Sequence, residues 1–168
     1  MIAILRKITH IFFPVKRKQY KFIRRNANHI IDKKILEIGA GEGYKVERFF
    51  HKSNKYIKTD LVESGNVTKM DITKEKLEPI YDVIVCINVL EHIFDYQTAL
   101  DNIYHGLKKG GHLFLSVPLF YPLHMLPNDF WRYTPSTLKK LLVNYSSIKI
   151  EINGLDRFPY NINVLAIK

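Results

Sequence analysis

The sequence has one cysteine, Cys86, and it lacks the features that mark secreted or membrane-spanning chains. A single cysteine excludes an intrachain disulfide and a thiolate metal cluster, and its apolar surroundings indicate a small buried side chain. No apolar run reaches the length of a spanning helix, and no small-residue cleavage site follows the apolar N-terminal residues. Internal repeats and low-complexity tracts are absent too. These absences favour one globular domain in a reducing cytoplasm.

Acidic residues are scarce near the N-terminus, and this shortage explains the charge of the chain. Its 168 residues include 26 Lys and Arg and 16 Asp and Glu, for a formal net charge of +10. Residues 1–34 hold ten of the basic residues and one acid, Asp32, so they account for +9 of that charge. We therefore expect a basic amphipathic arm or helix over residues 1–33 and a nearly neutral domain over residues 34–168.

Two interpretations of the basic arm remain open. Residues 1–25 would contact an anionic membrane surface peripherally, which would make the cytoplasmic protein membrane-associated. Alternatively, the arm is a solvated helix that covers the domain with its apolar face.

The rest of the chain alternates short apolar runs with longer amphipathic ones, a pattern typical of a parallel sheet covered by helices. Strands are predicted at 34–38, 56–61, 66–72, 81–90, 112–117, 147–152 and 161–168. Helices are predicted at 44–52, at 96–107 and from Thr134–Pro135 onward. The second of these helices is expected to end in the basic residues and glycines from Lys108 to Gly111. The short stretch between the third and fourth strands has no room for a full crossover helix, so we expect a reduced helix there, as a single turn or a bare loop. We expect an α/β, doubly wound, seven-stranded, mostly parallel sheet with an antiparallel edge pair.

A glycine-rich loop follows the first strand, in the stretch ILEIGAGEGY at residues 35–44. Its glycines at 39, 41 and 43 do not have the spacing of a dinucleotide fingerprint, which places the third glycine one residue later. Asp60 ends the second predicted strand, where a carboxylate accepts hydrogen bonds from ribose hydroxyls. Strand, glycines, helix, strand and acid in this order indicate a nucleoside cofactor.

Five segments in order resemble the motif series of class I S-adenosylmethionine-dependent methyltransferases: ILEIGAGEG, YIKTDL, MDIT, YDVIVCINVLEHI and LKKGGHLFLSVP. The resemblance covers residues 34–118 and implies a Rossmann-like fold with S-adenosyl-L-methionine as cofactor. In that family the glycine loop cradles the methionine part of the cofactor, which explains the glycine spacing. The resemblance implies the following cofactor-binding residues: Glu37, Gly39, Ala40 and Gly41 around the methionine moiety, Asp60 on the ribose, Leu61, Asp71 and Ile72 around the adenine, and Asn88 at the amino acid end.

The segment after residue 118 resembles one branch of these methyltransferases, in which a P-x-D-[FY]-W-R-[FY]-T stretch follows the fifth strand. Its position fits a lid or substrate wall, whose aromatic side chains exclude water and whose polar groups orient the acceptor. The candidate substrate residues are Asp129, Trp131, Arg132 and Tyr133. The alternative is that the two aromatic residues pack in the core and that the acid and the arginine form a structural ion pair.

Methyl transfer to oxygen or nitrogen often requires a base, and His92 and His124 are the candidates because imidazole titrates near neutral pH. The seven histidines show no metal-ligand spacing along the sequence, so no metal is predicted.

The expected acceptor is a small molecule, a lipid-linked intermediate or a glycan sugar, and the lid resemblance favours the glycan setting. Asn88 is followed by Val89 and Leu90 rather than by two prolines and an aromatic residue, which disfavours methylation of nucleic-acid bases. Three alternatives remain: an RNA methyltransferase whose basic arm contacts phosphates, a non-catalytic S-adenosylmethionine-binding domain, and an NAD(P)-dependent oxidoreductase.

Overall fold

The computed structural model describes residues 15–41, 45–155 and 158–168. The strands are β1 (Lys34–Ile38), β2 (Lys55–Asp60), β3 (Val67–Lys69), β4 (Tyr81–Ile87), β5 (Leu107–Pro118), β6 (Ser147–Leu155) and β7 (Phe158–Ile167). The α-helices are α1 (Val15–Ala27), α2 (Tyr96–Gly106) and α3 (Pro135–Leu141). Two short 3₁₀ turns occupy Glu47–Phe49 and Leu90–His92.

The seven strands form one sheet in the order β3-β2-β1-β4-β5-β7-β6. All neighbouring pairs from β3 to β5 are parallel, whereas β7 runs antiparallel to both β5 and β6. The strand order reverses between β1 and β4, so a crevice forms at their carboxyl ends, where ligands bind in open α/β sheets. The predicted doubly wound sheet with its antiparallel edge is confirmed, and the connection from β3 to β4 holds no helix.

Two apolar clusters cover the two faces of the sheet, because side chains alternate along each strand. Leu36 of β1 belongs to the larger cluster, together with Ile103 of α2 and Leu138 of α3. Its neighbour Ile35 belongs to the second cluster, together with Phe22 of α1. The described part of the predicted basic arm therefore packs against the sheet, while residues 1–14 lie outside the described residues.

The helix predicted over residues 44–52 is wrong, because residues 45–52 contain only a single 3₁₀ turn. The phenylalanine in this turn and the one that follows it are already buried. Asn54 then anchors the chain: its Nδ2 donates to the carbonyl of Ile30 (2.8 Å), and its Oδ1 accepts from the amide of Lys33 (2.9 Å). These bonds hold the chain at the start of β2, so a longer helix has no room.

The end of α2 also differs from the prediction. Lys108 to Gly111 do not close a helix but belong to β5, which begins at Leu107. Leu107 is fully buried and pairs with Tyr81 of β4, and the Nζ of Lys108 lies 2.9 Å from Asp82 Oδ1. Tertiary pairing with β4 thus overrides the local signal of basic residues followed by glycine.

Among the described residues, no helix combines the length and the apolar character needed to cross a bilayer.

We expect the substitution Leu113→Ala in β5 to lower the free energy of unfolding by about 2–5 kcal/mol, because it leaves a cavity beneath a fully buried side chain. Urea unfolding followed by circular dichroism measures this change. Leu123→Ala is the matched control, since that side chain is 70% exposed and should change stability by less than about 0.5 kcal/mol. Equal losses for both variants would contradict the assigned core.

Candidate functional site

The loop after β1 requires glycine at two positions. Gly39 has φ +73°, and a Cβ added there would collide with Cγ2 of Val89, in the segment after β4. A Cβ on Gly41 would lie 2.9 Å from Oδ2 of Asp60. The absence of side chains therefore lets the loop approach both β2 and the segment after β4, and leaves its backbone open to a ligand. Gly43 lies outside the described residues.

Asp60 ends β2 and faces this loop. Its Oδ2 accepts a hydrogen bond from the amide of Gly41 (2.9 Å), and its Oδ1 accepts a longer one from Val62 (3.4 Å). The amide of Ala40 donates to the carbonyl of Thr59 (2.9 Å), which fixes the loop to the same strand. Leu61 follows with 63% of its surface exposed. The carboxylate thus stands at the carboxyl edge of the sheet with further acceptor capacity.

Glu37 is the buried acid of this region, with 3% of its surface exposed. Burial raises the pKa of its carboxyl group from 4.5 to about 7, although the hydroxyl of Tyr56 and the charge of Lys58 partly oppose this shift. It lines a cleft of about 910 Å³ together with Gly41, Tyr56 and Lys58. This carboxyl group therefore changes charge near neutral pH.

Asp71 and Ile72 make local contacts in the structure. Oδ1 of Asp71 accepts from the amide (3.1 Å) and the hydroxyl (2.7 Å) of Thr73, and these bonds lower the pKa of the carboxyl group. Ile72 is buried in the larger apolar cluster, and its carbonyl accepts from Nδ2 of Asn102 (2.7 Å). The predicted contact of this pair with adenine stays a prediction.

Asn88 directly follows β4 with φ +54° and joins a polar network beneath α1. Its Oδ1 accepts from Nε2 of Gln19 (3.2 Å) and from Nδ2 of Asn161 (3.4 Å). Gln19 also donates to the hydroxyl of Ser116 (2.6 Å). Sequence reasoning missed this network because its members come from α1, β5 and β7, which are distant in sequence. The polar residues within the apolar patterns of the strands were the signal that could have indicated it.

The two candidate bases lie side by side, with ring centroids 4.7 Å apart, and both face Glu91. Oε1 of Glu91 is 3.8 Å from Nε2 of His92 and 3.9 Å from Nε2 of His124. Burial raises the pKa of the Glu91 carboxyl group to about 8, and burial lowers the pKa of His124. Sequence reasoning named both histidines but missed Glu91, which directly precedes one of them and is fully buried.

The connection between β5 and α3 docks onto the segment after β4. The amides of Phe130 (2.9 Å) and Trp131 (3.2 Å) donate to the carbonyl of Glu91, and the hydroxyl of Tyr133 donates to the carbonyl of Leu90 (3.2 Å). The indole of Trp131 donates to the carbonyl of Ile93 (3.1 Å). The side chains of Trp131 and Tyr133 both pack in the larger apolar cluster.

Asp129 and Arg132 form a two-pronged ion pair in the same connection, with N–O distances of 2.6 and 2.8 Å. Asp129 Oδ2 also accepts from the amide of His124 (2.9 Å), and the hydrogen bonds from Arg132 hold the pKa of this carboxyl group well below its ordinary value. The pair lines a second cavity, of about 570 Å³, whose other walls are mostly apolar.

Comparison with known proteins gives matches to methyltransferases. Residues 10–145 match a family model described as a methyltransferase domain. The chain is similar to the ubiquinone biosynthesis O-methyltransferases of Aliivibrio fischeri (27% identity over 114 residues, 56% of this chain and 48% of the relative) and Serratia proteamaculans (30% over 112 residues, 56% and 46%). The chain thus spans about half the length of the curated relatives it matches.

Solved structures share the fold at low sequence identity. The 1,6-didemethyltoxoflavin-N1-methyltransferase of Burkholderia thailandensis superposes with a TM-score of 0.71 at 17% identity, over 99% of this chain and 88% of that one. The N-methyltransferase NodS of Bradyrhizobium japonicum superposes with a TM-score of 0.71 at 16% identity, over 92% of this chain and 97% of that one. Because the family model covers more than half of the chain, the protein belongs to the methyltransferase-domain family.

Proposed function

We propose that the protein is an S-adenosylmethionine-dependent methyltransferase that methylates an oxygen or nitrogen atom of a small molecule. The observation that carries this proposal is the loop after β1, in which Gly39 and Gly41 carry no side chain and the amide of Gly41 donates to the carboxylate of Asp60. The curated relatives are named O-methyltransferases, and two structural neighbours were solved with S-adenosylhomocysteine, the demethylated form of this cofactor.

The residues of the crevice fit the parts of this cofactor. The loop from Gly39 to Gly41 would hold the methionine moiety, and Glu37 and Asn88 would face its charged end. Asp60 would accept hydrogen bonds from the ribose, while Leu61, Asp71 and Ile72 would border the adenine. The bound cofactor supplies an electrophilic methyl group on a sulfonium, and the chain supplies position and exclusion of water.

We place the acceptor beside the β5–α3 connection, which corresponds to the lid segment of the sequence resemblance. Its exposed apolar side chains include Phe120, Leu123, Met125, Leu126 and Phe130. A surface of this kind favours an acceptor with an apolar portion, such as an aromatic compound or a lipid-linked intermediate, over a bare glycan sugar. The ion pair of Asp129 and Arg132 would orient polar groups of the acceptor at the cavity wall.

The exposed basic residues of α1 would support contact with an anionic membrane surface. Phe22 and Ile23 turn toward the sheet, whereas the solvent-exposed side of the helix carries six basic residues: Lys16, Arg17, Lys18, Lys21, Arg24 and Arg25. Such a surface would bring the enzyme to a lipid-linked acceptor.

The acceptor would be deprotonated at the cluster of Glu91, His92 and His124, which adjoins the acceptor cavity: the ring of Tyr121, in the cavity wall, lies 5.2 Å from the ring of His124. In-line attack on the methyl group then forms the new bond while the carbon–sulfur bond breaks.

The decisive test is transfer of a labelled methyl group from S-adenosylmethionine to fractions of a cell extract, separated into lipids, glycans, small metabolites and RNA. We expect labelling in the lipid or small-metabolite fraction. Tight cofactor binding with no labelled product in any fraction would favour a non-catalytic binding domain, and labelled RNA would reassign the acceptor.

We expect Asp60→Ala to weaken S-adenosylmethionine binding by roughly 10- to 100-fold, because two hydrogen bonds to a charged acceptor are lost. Isothermal titration calorimetry measures this loss. Glu63→Ala, at an exposed acid three residues later, is the control and should bind as the parent does. Unchanged affinity in the first variant would overturn the assignment of the ribose site.

We expect Glu37→Gln to remove a pH dependence of stability. The folded chain holds the Glu37 proton up to about pH 7, whereas the unfolded chain releases it near pH 4.5, so rising pH destabilises the parent between these values. As the pH rises across that window, the free energy of unfolding of the variant should therefore increase relative to that of the parent, by up to about 3 kcal/mol. Urea unfolding at several pH values measures the difference. The control is Glu78→Gln, at an exposed site, whose stability should depend on pH as that of the parent does.

A further inference from the structure

We propose that Glu91, His92 and His124 form a binding site for one divalent transition-metal ion of the zinc class. The site itself is a property of the chain, and the role we give it, holding the acceptor oxygen for deprotonation, rests on the proposed function. It replaces the sequence-based expectation of no metal, which considered only spacing along the chain.

The three side chains converge on a common point. Nε2 of each histidine lies within 3.9 Å of Oε1 of Glu91, and the ligand atoms all lie within 4.8 Å of one another. In a tetrahedral zinc site with bonds of about 2.0–2.1 Å, ligand atoms are about 3.4 Å apart. Side-chain movements of about half an ångström or somewhat more would therefore close the site around an ion.

The contacts of Nδ1 in both rings leave Nε2 unprotonated, and each Nε2 lies within 3.9 Å of Oε1 of Glu91. Nδ1 of His92 lies 2.5 Å from the carbonyl of Asn128, and Nδ1 of His124 lies 3.2 Å from both the carbonyl of Pro122 and Oδ2 of Asp129. Carbonyl and carboxylate oxygens only accept, so in the neutral rings Nδ1 carries the proton and Nε2 does not. Metal-binding histidines have this arrangement, with the second nitrogen donating to a carbonyl or a carboxylate.

Among the described residues, no hydrogen bond compensates the burial of the Glu91 carboxyl group. Its side chain is fully buried, and within the described part of the chain neither carboxylate oxygen has a hydrogen-bond partner. A buried polar group without a partner is costly, and in its ionised form the carboxylate would also face the lone pairs of both ε-nitrogens. A cation at the common point would satisfy all three groups at once.

The backbone around the cluster holds it in place. The carbonyl of Glu91 accepts from the amides of Phe130 and Trp131, and this docking brings His124 to a neighbour 32 residues earlier in the chain, His92. Arg132 in turn holds Asp129, the acceptor of the His124 ring. The groups that orient the two histidine rings are themselves held in place by the fold, so the site is preorganised.

The ligand set selects the class of ion. Two imidazole nitrogens and one carboxylate oxygen suit zinc, iron, cobalt or manganese better than magnesium or calcium, which prefer oxygen ligands. Three protein ligands also leave a coordination position open, as in catalytic zinc sites.

An acceptor hydroxyl at the open position would be acidified by the ion. Its O–H bond breaks and the proton passes to water; the oxygen then attacks the methyl carbon. The C–S bond breaks with its electron pair remaining on sulfur, which yields the methylated acceptor and S-adenosylhomocysteine. The ion ends the reaction unchanged.

The test uses the full chain, stripped of metal with a chelator and titrated with Zn²⁺ by calorimetry and with Co²⁺ by visible absorption. We expect one ion per chain and a Co²⁺ spectrum of low coordination number. His124→Ala and the nearly isosteric Glu91→Gln should each weaken Zn²⁺ binding by about 100-fold. His105→Ala, at an exposed histidine outside the cluster, should bind as the parent does.

Two outcomes overturn the site: no stoichiometric ion in the parent, or equal Zn²⁺ affinity in the parent and both cluster variants. Circular dichroism and S-adenosylmethionine calorimetry on the same samples report folding and cofactor binding separately. Retained cofactor binding without metal binding refutes the metal site alone, whereas metal binding without cofactor binding refutes the proposed function and leaves the site standing.

Discussion

The candidate active site depends on hydrogen bonds that the β5–α3 connection donates to the backbone directly after β4. Amides and side chains of Phe130, Trp131 and Tyr133 bind the carbonyls of Leu90, Glu91 and Ile93. This docking excludes water from Glu91 and carries His124 to the edge of the sheet. Without it, the acid would be solvated, and the two histidines would stand apart.

The same short segment after β4 joins the two halves of the crevice. Val89 contacts the loop at Gly39, so tightly that a side chain there would collide with it, and Glu91 and His92 follow two and three residues later. The proposed cofactor loop and the proposed proton-removing cluster are therefore positioned by one piece of backbone. A displacement of this segment would therefore change the geometry of both sites.

The polar network under α1 extends this coupling to the opposite face of the sheet. Gln19 binds both Asn88 and Ser116, so the helix that bears the exposed basic residues is hydrogen-bonded to the residue at the carboxyl end of β4. The proposed membrane contact and the proposed cofactor site are thus connected through buried side chains. Such networks stabilise the fold most when they are complete, because each lost partner leaves another buried group without a hydrogen bond.

The sequence by itself determined the sheet, its antiparallel edge and the glycine loop facing Asp60, because strand periodicity and motif order are local signals. It did not determine where the helices end: Asn54 anchors the start of β2, and Leu107 pairs with Tyr81, both through contacts distant in sequence. Only the tertiary structure decided that Glu91 and His92 meet His124, since hydrogen bonds across more than thirty residues, rather than spacing along the chain, bring these side chains together.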